Sequence, residues 1–264
     1  MNNSVEKTAI FAGGGSLPAK VKQACIDKGR VPFVVGFDGQ TDPSLTDFMT
    51  QLGAAGAIIK KLKDENVKDI IFIGGIKRPS FKSLKPDLKG TKILAKIGFK
   101  SLGDDSLLKL ISEELKKEGF NLISAQDVLD DVLAPEGVWT KTQPNDQDWG
   151  DIRRGEEVAR SLGLADVGQS VVVQDGIVLA VEAIEGTDAL LNRCADLVKS
   201  QNSGVLVKLK KPQQDERLDL PTVGTVTIEK IIAAGLKGLA VKKNQTLVVG
   251  LDDMVELANK NGIF

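Results

Sequence analysis

The chain has 264 residues, of which 42% are hydrophobic and 27% are charged, and its net charge is −1. That length suggests one large or two modest domains, and the small net charge gives no basic field that would favour nucleic acid. Histidine and tyrosine are absent, which excludes a Ser-His-Asp triad and a histidine-ligated zinc site. Catalysis would therefore depend on carboxylates, lysine, arginine, hydroxyls, backbone dipoles or a metal ion.

Cysteine usage and hydropathy indicate a cytoplasmic protein. Cys25 and Cys194 lie in apolar helical contexts and share no metal-ligand spacing, so we expect both to be reduced. No stretch approaches the roughly 18 apolar residues needed to span a bilayer. The N-terminal residues also lack the pattern of a signal peptide.

The chain opens with a β–glycine loop–α–β pattern, typical of nucleotide-binding α/β domains. Residues 5–12 predict a buried strand, a helix runs to Lys28, and residues 31–35 predict the next strand. Pro18 stands where the dinucleotide fingerprint needs its last glycine, and Asp38 could serve as a ribose-binding acid. The loop could bind phosphate through backbone N–H groups or be a plain tight turn. Its residues are Gly13, Gly14, Gly15 and Ser16.

A second glycine pair follows the third predicted strand, residues 69–73, and leads to Arg78 and Ser80. This is where a doubly wound sheet usually binds its ligands. Lysines then recur at 85, 89, 92, 96 and 100. They predict either a cationic helical stripe that could lie on an anionic membrane or a solvated lysine face. Asp104 and Asp105 precede an amphipathic helix, where they could cap it or contact metal or substrate.

The domain pattern changes in the middle of the chain. We expect an N-terminal Rossmann-like α/β domain with a parallel sheet over residues 1–131 and a linker over 132–148. A C-terminal α/β domain with a mixed sheet would occupy residues 149–264. The Asp175-Gly176 pair between two apolar runs predicts a β-hairpin. A second hairpin is expected between Val241 and residues 246–249.

Residues 177–191 combine a buried strand with the start of a helix near Thr187. Glu182 lies on the strand, and Glu185 and Asp188 follow where strand turns into helix. A helix start attracts phosphate, and clustered carboxylates attract a hard cation such as Mg²⁺. Alternatively, Thr187 or Asp188 caps the helix and Glu182 pairs with a core cation.

A polar loop bounded by Pro212 and Pro221 is the other stretch that suggests function. It carries Arg217 and Asp219 among other charged residues. Polar loops held between rigid elements often carry functional groups.

Five motifs together resemble the metal-dependent UDP-2,3-diacylglucosamine pyrophosphatase family of lipid A biosynthesis, which is unrelated to the calcineurin-like enzyme for that step. The resemblance runs from end to end. The motifs are AGGGSLP (12–18), RPSFKSLKPDLKG (78–90), GDDSLL (103–108), GQSVVVQDGIVLAVEAIEGTDALL (168–191) and DERLDLPTVG (215–224).

The resemblance implies a protein of two domains that holds its substrate between them. It also implies a homodimer that acts at the cytoplasmic face of the inner membrane. It implies Mg²⁺-dependent hydrolysis of UDP-2,3-diacylglucosamine to UMP and 2,3-diacylglucosamine 1-phosphate (lipid X), with Mn²⁺ as an alternative metal. The aspartate needed for turnover matches Asp219.

Site assignments follow from the motifs and the resemblance together. Asp219, Glu182 and Asp188 are expected to be catalytic, and these three with Glu185 are the expected metal ligands. The acyl chains would need an apolar cleft, for which Phe81, Leu84, Leu88 and Phe99 are the candidates. The expected substrate-binding residues are Gly13, Gly14, Gly15, Ser16, Arg78, Ser80, Lys85, Asp104, Asp105, Thr187 and Arg217.

Two other functions compete with this one. A hydrolase of a soluble nucleotide sugar would need no acyl pocket and would not respond to detergent or vesicles. A non-catalytic lipid- or nucleotide-binding protein would tolerate Asp219→Asn and would bind its ligand equally well under chelation.

Overall fold

The structure is a computed structural model that describes residues 6–76, 86–97, 104–130 and 132–264. The chain divides into two compact units. The first unit comprises Met1–Asp131 and Asp215–Asp219, and the second comprises Val132–Gln214 and Leu220–Phe264. The interval 132–148, interpreted from sequence as a linker, is thus grouped with the second unit.

The first unit is built on a parallel sheet of five strands. They are β1 (Lys7–Ala12), β2 (Val31–Phe37), β3 (Phe48–Thr50), β4 (Val67–Ile73) and β5 (Asn121–Leu122). Their order is β3-β2-β1-β4-β5, and every pairing is parallel. The central strand β1 is buried along most of its length, as its apolar residues on both faces predict. The predicted Rossmann-like parallel sheet is confirmed.

The helices of the first unit are α1 (Leu17–Asp27), α2 (Ala55–Asp64), α3 (Leu88–Ile97) and α4 (Asp104–Lys117). Short 3-10 turns occupy Pro43–Leu45 and Ala125–Asp127. Phe11 lies at the centre of the core, with its ring centroid 5.0 Å from that of Phe72 and 6.0 Å from that of Phe37 in edge-on geometry. Leu218, from the segment Asp215–Asp219, is buried in the same core.

The second unit contains four main helices and six strands among its described residues. The helices are α5 (Asp146–Leu164), α6 (Gly186–Cys194), α7 (Thr225–Ala233) and α8 (Leu251–Lys260). The strands are β6 (Ser170–Gln174), β7 (Ile177–Val181), β8 (Val205–Lys208), β9 (Thr222–Gly224), β10 (Gly238–Val241) and β11 (Leu247–Val249). Its largest core cluster includes Val172, Leu190, Leu206 and Ile231.

The larger sheet of this unit is mixed, with the order β10-β8-β6-β7. The predicted hairpin between β6 and β7 is confirmed, and its turn residues Asp175 and Gly176 have φ of 53° and 76°. Both residues are in the left-handed region that an Asp-Gly hairpin turn requires. The buried carboxylate of Asp151 accepts the N–H groups of Asp175 (3.0 Å) and Gly176 (2.6 Å) and so fixes the turn to α5.

The second predicted hairpin, between Val241 and residues 246–249, is wrong. β10 pairs with β8, and β11 pairs with β9 in a separate two-stranded sheet. Both pairings are parallel, which an adjacent hairpin cannot provide. In addition, Leu133 forms an isolated bridge with Leu247. None of the helices in the described residues is long and apolar enough to cross a membrane.

An ion-pair network holds α4 against neighbouring helices in the first unit. The ammonium groups of Lys63 and Lys89 both donate to the Glu118 carboxylate, and Lys89 also lies 3.6 Å from Glu114. The bonds from Lys63 and then Lys89 lower the pKa of Glu118 to about 2. A depressed folded-state pKa stabilises the fold above the ordinary pKa of a glutamate and loses that effect as the pH falls towards 2.

We therefore expect Glu118→Gln to lower the thermal midpoint at pH 7 by a few degrees, roughly what one partly exposed ion-pair network supplies. Between about pH 4.5 and pH 2, wild type should lose stability more steeply than the variant. Thermal unfolding followed by circular dichroism across that range measures both effects. Glu113→Gln, at an exposed position of α4, is the control. Parallel pH profiles for wild type and Glu118→Gln would contradict the assignment.

Candidate active site

The N-terminal glycine loop is joined to the glycine pair that follows β4. The Gly13 N–H donates to the Ile73 carbonyl and the Gly14 N–H donates to the Gly75 carbonyl, both at 2.8 Å. A Cβ at Gly13 would lie only 2.5 Å from the Gly74 carbonyl oxygen, so this approach of two backbones requires glycine. These two N–H groups therefore serve the fold, which narrows the predicted phosphate contact to the rest of the loop.

A cavity of about 790 Å³ lies beyond the carboxyl end of β2, and its lining begins at Asp38 and ends at Met49. A Cβ at Gly14 would lie 3.2 Å from the Gln40 carbonyl oxygen, so the glycine loop borders this lining. Gly15 and Ser16 are the exposed residues of the loop. Ligands of doubly wound sheets bind at the carboxyl ends of the strands. The predicted nucleotide contact of the glycine loop remains a prediction.

Three of the predicted substrate-binding residues, Arg78, Ser80 and Lys85, lie outside the described residues, as do three of the four acyl-cleft candidates. Asp104 and Asp105 begin α4, as their helix-start pattern predicts, but their side chains lie outside the described part. The fourth acyl-cleft candidate, Leu88, is 82% exposed. The roles of all these residues remain predictions.

Only two lysines of the predicted cationic stripe have described side chains. Lys89 is engaged by Glu118 and Glu114, and these pairs raise its pKa, with the Glu118 hydrogen bond as the largest cause. Lys92 is exposed. Of these two lysines, Lys92 is exposed enough to face a membrane, whereas Lys89 joins α3 to α4 through its ion pairs.

The segment Asp215–Asp219 is a tight turn that carries Asp219, the aspartate that the family resemblance implies is needed for turnover. Arg217 binds Asp215 through two side-chain bonds, Nε to Oδ1 at 2.9 Å and an NH2 group to Oδ2 at 2.6 Å. This pairing lowers the pKa of Asp215 and raises that of Arg217. Leu218 is buried and its backbone N–H donates to the Asp215 carbonyl at 2.9 Å. Asp219 is exposed at the end of the turn.

In the second unit, a small polar cluster lies where β7 meets α6. Glu182 is only 8% exposed and accepts a hydrogen bond from the Thr187 hydroxyl at 3.1 Å. That hydroxyl is also 3.2 Å from the hydroxyl of Ser170, which is fully buried. Burying a carboxylate is costly unless its charge is used or compensated. The structure thus brings together Glu182 and Thr187, two residues that the sequence analysis proposed for the site in separate roles.

The other two carboxylates of this stretch lie in different surroundings. Glu185 binds Arg193 at 2.8 Å and accepts the Ala183 N–H at 3.2 Å. The Arg193 bond is the largest cause of the lowered Glu185 pKa. Asp188 has a 69% exposed side chain, 4.0 Å from the ammonium of Lys230. Helix α6 begins at Gly186, and Glu185 at its N-cap makes no side-chain capping bond. Thr187 lies inside the first turn, so the alternative in which Thr187 caps the helix is not observed.

Sequence reasoning missed two buried polar residues beside Glu182. Ser170 pairs in register with Lys208 on β8, and the Glu182 N–H donates to the Ser170 carbonyl at 2.8 Å. The three residues therefore form a row across neighbouring strands, where facing side chains lie close. Lys208 is 8% exposed and its ammonium donates to the Thr222 carbonyl at 3.0 Å. The available signal was a lysine that ends the apolar run 205–207.

Gly168 controls the position of Glu182. A Cβ at Gly168 would lie 2.0 Å from the Glu182 carbonyl oxygen and 2.7 Å from its carbonyl carbon. We expect Gly168→Ala to push Glu182 away by about 1 Å and to reduce turnover by roughly 50-fold, because misplacements of that size have such effects. The measurement is kcat for the hydrolysis proposed below.

The control for this substitution is Gly150→Ala in α5, where an added Cβ meets nothing within 4 Å. That variant should keep wild-type turnover and gain slight stability from its better helix propensity. Wild-type kcat in a folded Gly168→Ala protein would show that the position of Glu182 does not matter.

The oxygen chemistry of the site fits a hard cation in part. Buried Glu182 and exposed Asp188 offer the oxygen ligands that Mg²⁺ prefers, whereas Glu185 would first have to leave Arg193. Across the described ranges, no three His, Cys, Asp or Glu side chains form a group that could hold a metal. Asp219 belongs to the first unit and the other three carboxylates to the second. The four-residue ligand set therefore remains a prediction.

Comparison with known proteins identifies the family. Residues 7–132 match the model of the LpxI N-terminal domain, and residues 135–264 match that of the LpxI C-terminal domain. A curated protein of Caulobacter vibrioides, named UDP-2,3-diacylglucosamine pyrophosphatase LpxI, is 37% identical over 98% of this chain and 96% of its own length. Both halves of the sequence and the resemblance of its motifs thus agree, and the chain belongs to the LpxI family.

Proposed function

We propose that this chain hydrolyses the pyrophosphate bond of UDP-2,3-diacylglucosamine and acts in lipid A biosynthesis. The proposed products are UMP and 2,3-diacylglucosamine 1-phosphate. The observation that carries the proposal is the family match over both halves of the chain, together with the name of the relative that is 37% identical to it. The carboxylate and hydroxyl groups described above are compatible with such chemistry, which requires no histidine.

Mg²⁺ is the proposed cofactor, with Mn²⁺ as the alternative. When bound, it would neutralise negative charge on the phosphoryl oxygens. Glu182 and Asp188 are the side chains of the second unit best suited to hold it, because neither is paired as closely as Glu185 is with Arg193. Asp219 is the proposed contribution of the first unit.

The protein's own groups supply orientation and proton transfer. The Thr187 hydroxyl fixes the Glu182 carboxylate, and the buried Ser170 hydroxyl supports Thr187 in turn. Arg217 is held by Asp215, so its proposed contact with substrate would use the face of the guanidinium that this pair leaves exposed. Asp219 is the proposed group that orients the attacking water and accepts its proton.

The proposed partners follow from the substrate. A diacylated sugar nucleotide resides at a membrane, so we place the enzyme transiently at the cytoplasmic face of the inner membrane, as a homodimer and without nucleic acid. Leu88 and Lys92 support this placement, because both are exposed and lie four residues apart on α3. An exposed apolar and a basic side chain on one helix face suit an anionic lipid surface.

The test is release of UMP from UDP-2,3-diacylglucosamine in mixed micelles, measured with Mg²⁺, with Mn²⁺ and after chelation with EDTA. We expect release with either metal and none after chelation. A parallel reaction offers a soluble, unacylated UDP-sugar, which should react poorly. Equal turnover of the soluble substrate, without response to detergent, would replace the proposal by a soluble nucleotide-sugar hydrolase. Binding of the lipid without any release would indicate a binding protein.

A further inference from the structure

Two lysines donate hydrogen bonds to the chain on either side of the segment Asp215–Asp219, one to Gln214 before it and one to Thr222 after it. Gln214 and Leu220, which flank the segment, both belong to the second unit and are both buried. The segment itself belongs to the first unit. The chain therefore leaves the second unit after Gln214 and returns to it at Leu220, so hydrogen bonds of the second unit hold the chain on both sides of the segment.

Lys208 holds the chain after the segment, at Thr222, three residues beyond Asp219. Its ammonium donates to the Thr222 carbonyl at 3.0 Å, and Thr222 is the first residue of β9. The Leu247 N–H donates to the Pro221 carbonyl at 2.8 Å and ties the same stretch to β11. Since Lys208 is buried at the end of β8, its side chain has little freedom, and the Thr222 carbonyl is held with it.

Lys210 fixes the end that precedes the segment. Its ammonium donates to the Gln214 carbonyl at 3.4 Å, and the Gln214 side chain accepts the Lys211 N–H at 3.2 Å. The strand ladder continues past Lys208, because the Leu209 N–H donates to the Gln169 carbonyl at 2.9 Å. Lys208 ends β8, and Lys210 follows two residues later.

We propose that Lys208 and Lys210 are positioning residues that hold the chain on both sides of the Asp215–Asp219 segment, at Thr222 and at Gln214, and thereby place the Asp219 carboxylate for hydrolysis. This inference rests on the proposed function for its catalytic consequence, and on the hydrogen bonds alone for its structural one. The two ammonium groups, on residues two apart, form a clamp: one bonds to the carbonyl directly before the segment, and the other bonds to a carbonyl three residues after it. Lys211 has a different task, since its ammonium binds Asp166 at 2.7 Å.

The catalytic test compares Lys208→Met, Lys208→Arg and Lys210→Met with wild type in the UMP-release assay. Methionine keeps most of the side-chain volume and removes the donor. We expect kcat to fall about tenfold in both methionine variants, with KM within about twofold, because the clamp orients a reacting group. Lys208→Arg should recover at least half of the loss. Lys243→Met, which removes only an exposed pair with Glu136, should retain wild-type values.

The structural test is limited digestion with trypsin, with mass spectrometry of the bond between Arg217 and Leu218. Leu218 is buried in the first unit, so this bond should be cut slowly in wild type. A looser segment opens more often, and cleavage there should be about fivefold faster in the methionine variants. Neither substitution adds a trypsin site, and Lys243→Met should match wild type.

The outcomes separate the two proposals. If wild type releases no UMP, the proposed function fails, and the cleavage rates still decide whether the clamp exists. Wild-type kcat and wild-type cleavage in folded methionine variants would overturn the clamp, as would a loss confined to KM. If thermal unfolding shows that Lys208→Met does not fold, the less buried Lys210→Met decides by the same criteria.

Discussion

Replacement of Asp219 by asparagine is expected to reduce kcat for UMP release by about thousandfold, the range that a positioned acid or base contributes. The Asp219 side chain is exposed, and the turn that ends at Asp219 is held by backbone bonds and by the buried Leu218. Its backbone N–H donates to the Asp215 carbonyl at 3.2 Å, and Leu218 anchors the turn in the core. Asparagine preserves these backbone contacts and the side-chain volume while removing the negative charge.

The fold should therefore survive, with a change in unfolding free energy of no more than about 0.5 kcal/mol, as is usual for exposed positions. Steady-state UMP release gives kcat, and thermal unfolding gives stability. Glu216→Gln is the matched control, because Glu216 is an exposed carboxylate of the same turn with no role in the proposed chemistry. Equal losses in the two variants would indicate that the charge of the turn matters and that Asp219 has no individual role.

The sequence predicted the local elements well because their signals are local. Alternating and continuous apolar runs identify strands, and Asp175-Gly176 specifies a tight hairpin by its left-handed backbone. The glycine loop also ends β1 where expected. The bonding partners of the loop could not be predicted, because the Gly13 and Gly14 N–H groups donate to carbonyls about 60 residues away in the chain.

Pairings between distant segments were not predictable in this way. β9 and β11 are separated by more than twenty residues, and their parallel pairing leaves no turn signal between them. The same limit applies to the site. Glu182 and Thr187 are close in sequence and were proposed as site residues from it, whereas Ser170 and Lys208 lie beside Glu182 only through the register of neighbouring strands. A period-two pattern identifies a strand without identifying its neighbour.

The segment Asp215–Asp219 shows a further limit. Its proline-bounded, charged sequence predicted a functional loop, and the family resemblance pointed to Asp219 within it. Two further features depend on three-dimensional contacts. Leu218 is buried in the core of the first unit, and lysines donate to carbonyls on both sides of the segment. A loop can thus be recognised by composition, while the lysines proposed to fix its position lie at the end of the apolar strand β8 and just beyond it.

Lys237→Met is expected to destabilise the second unit by about 3–5 kcal/mol, the cost of leaving a buried charge without its partner. The ammonium of Lys237 donates to the carboxylate of Asp148, which is only 4% exposed, and also lies 5.8 Å from the Phe264 ring centroid. Asp148 additionally accepts the Asn145 N–H at 2.9 Å in the cap of α5. Methionine would preserve the packing but leave this carboxylate with neutral partners.

A loss of that size should lower the thermal midpoint by about 10–20 °C in a unit of this length. Asp148→Asn in the Lys237→Met background should recover part of the loss, because the neutral amide no longer needs a cation while the cap oxygen is kept. Lys243→Met removes an exposed pair of the same unit and should change the midpoint by about 2 °C or less. If Lys237→Met and Lys243→Met lower the midpoint equally, the buried Lys237–Asp148 pair is worth no more than the exposed Lys243–Glu136 pair. The apolar face of α5 would then hold the helix in place.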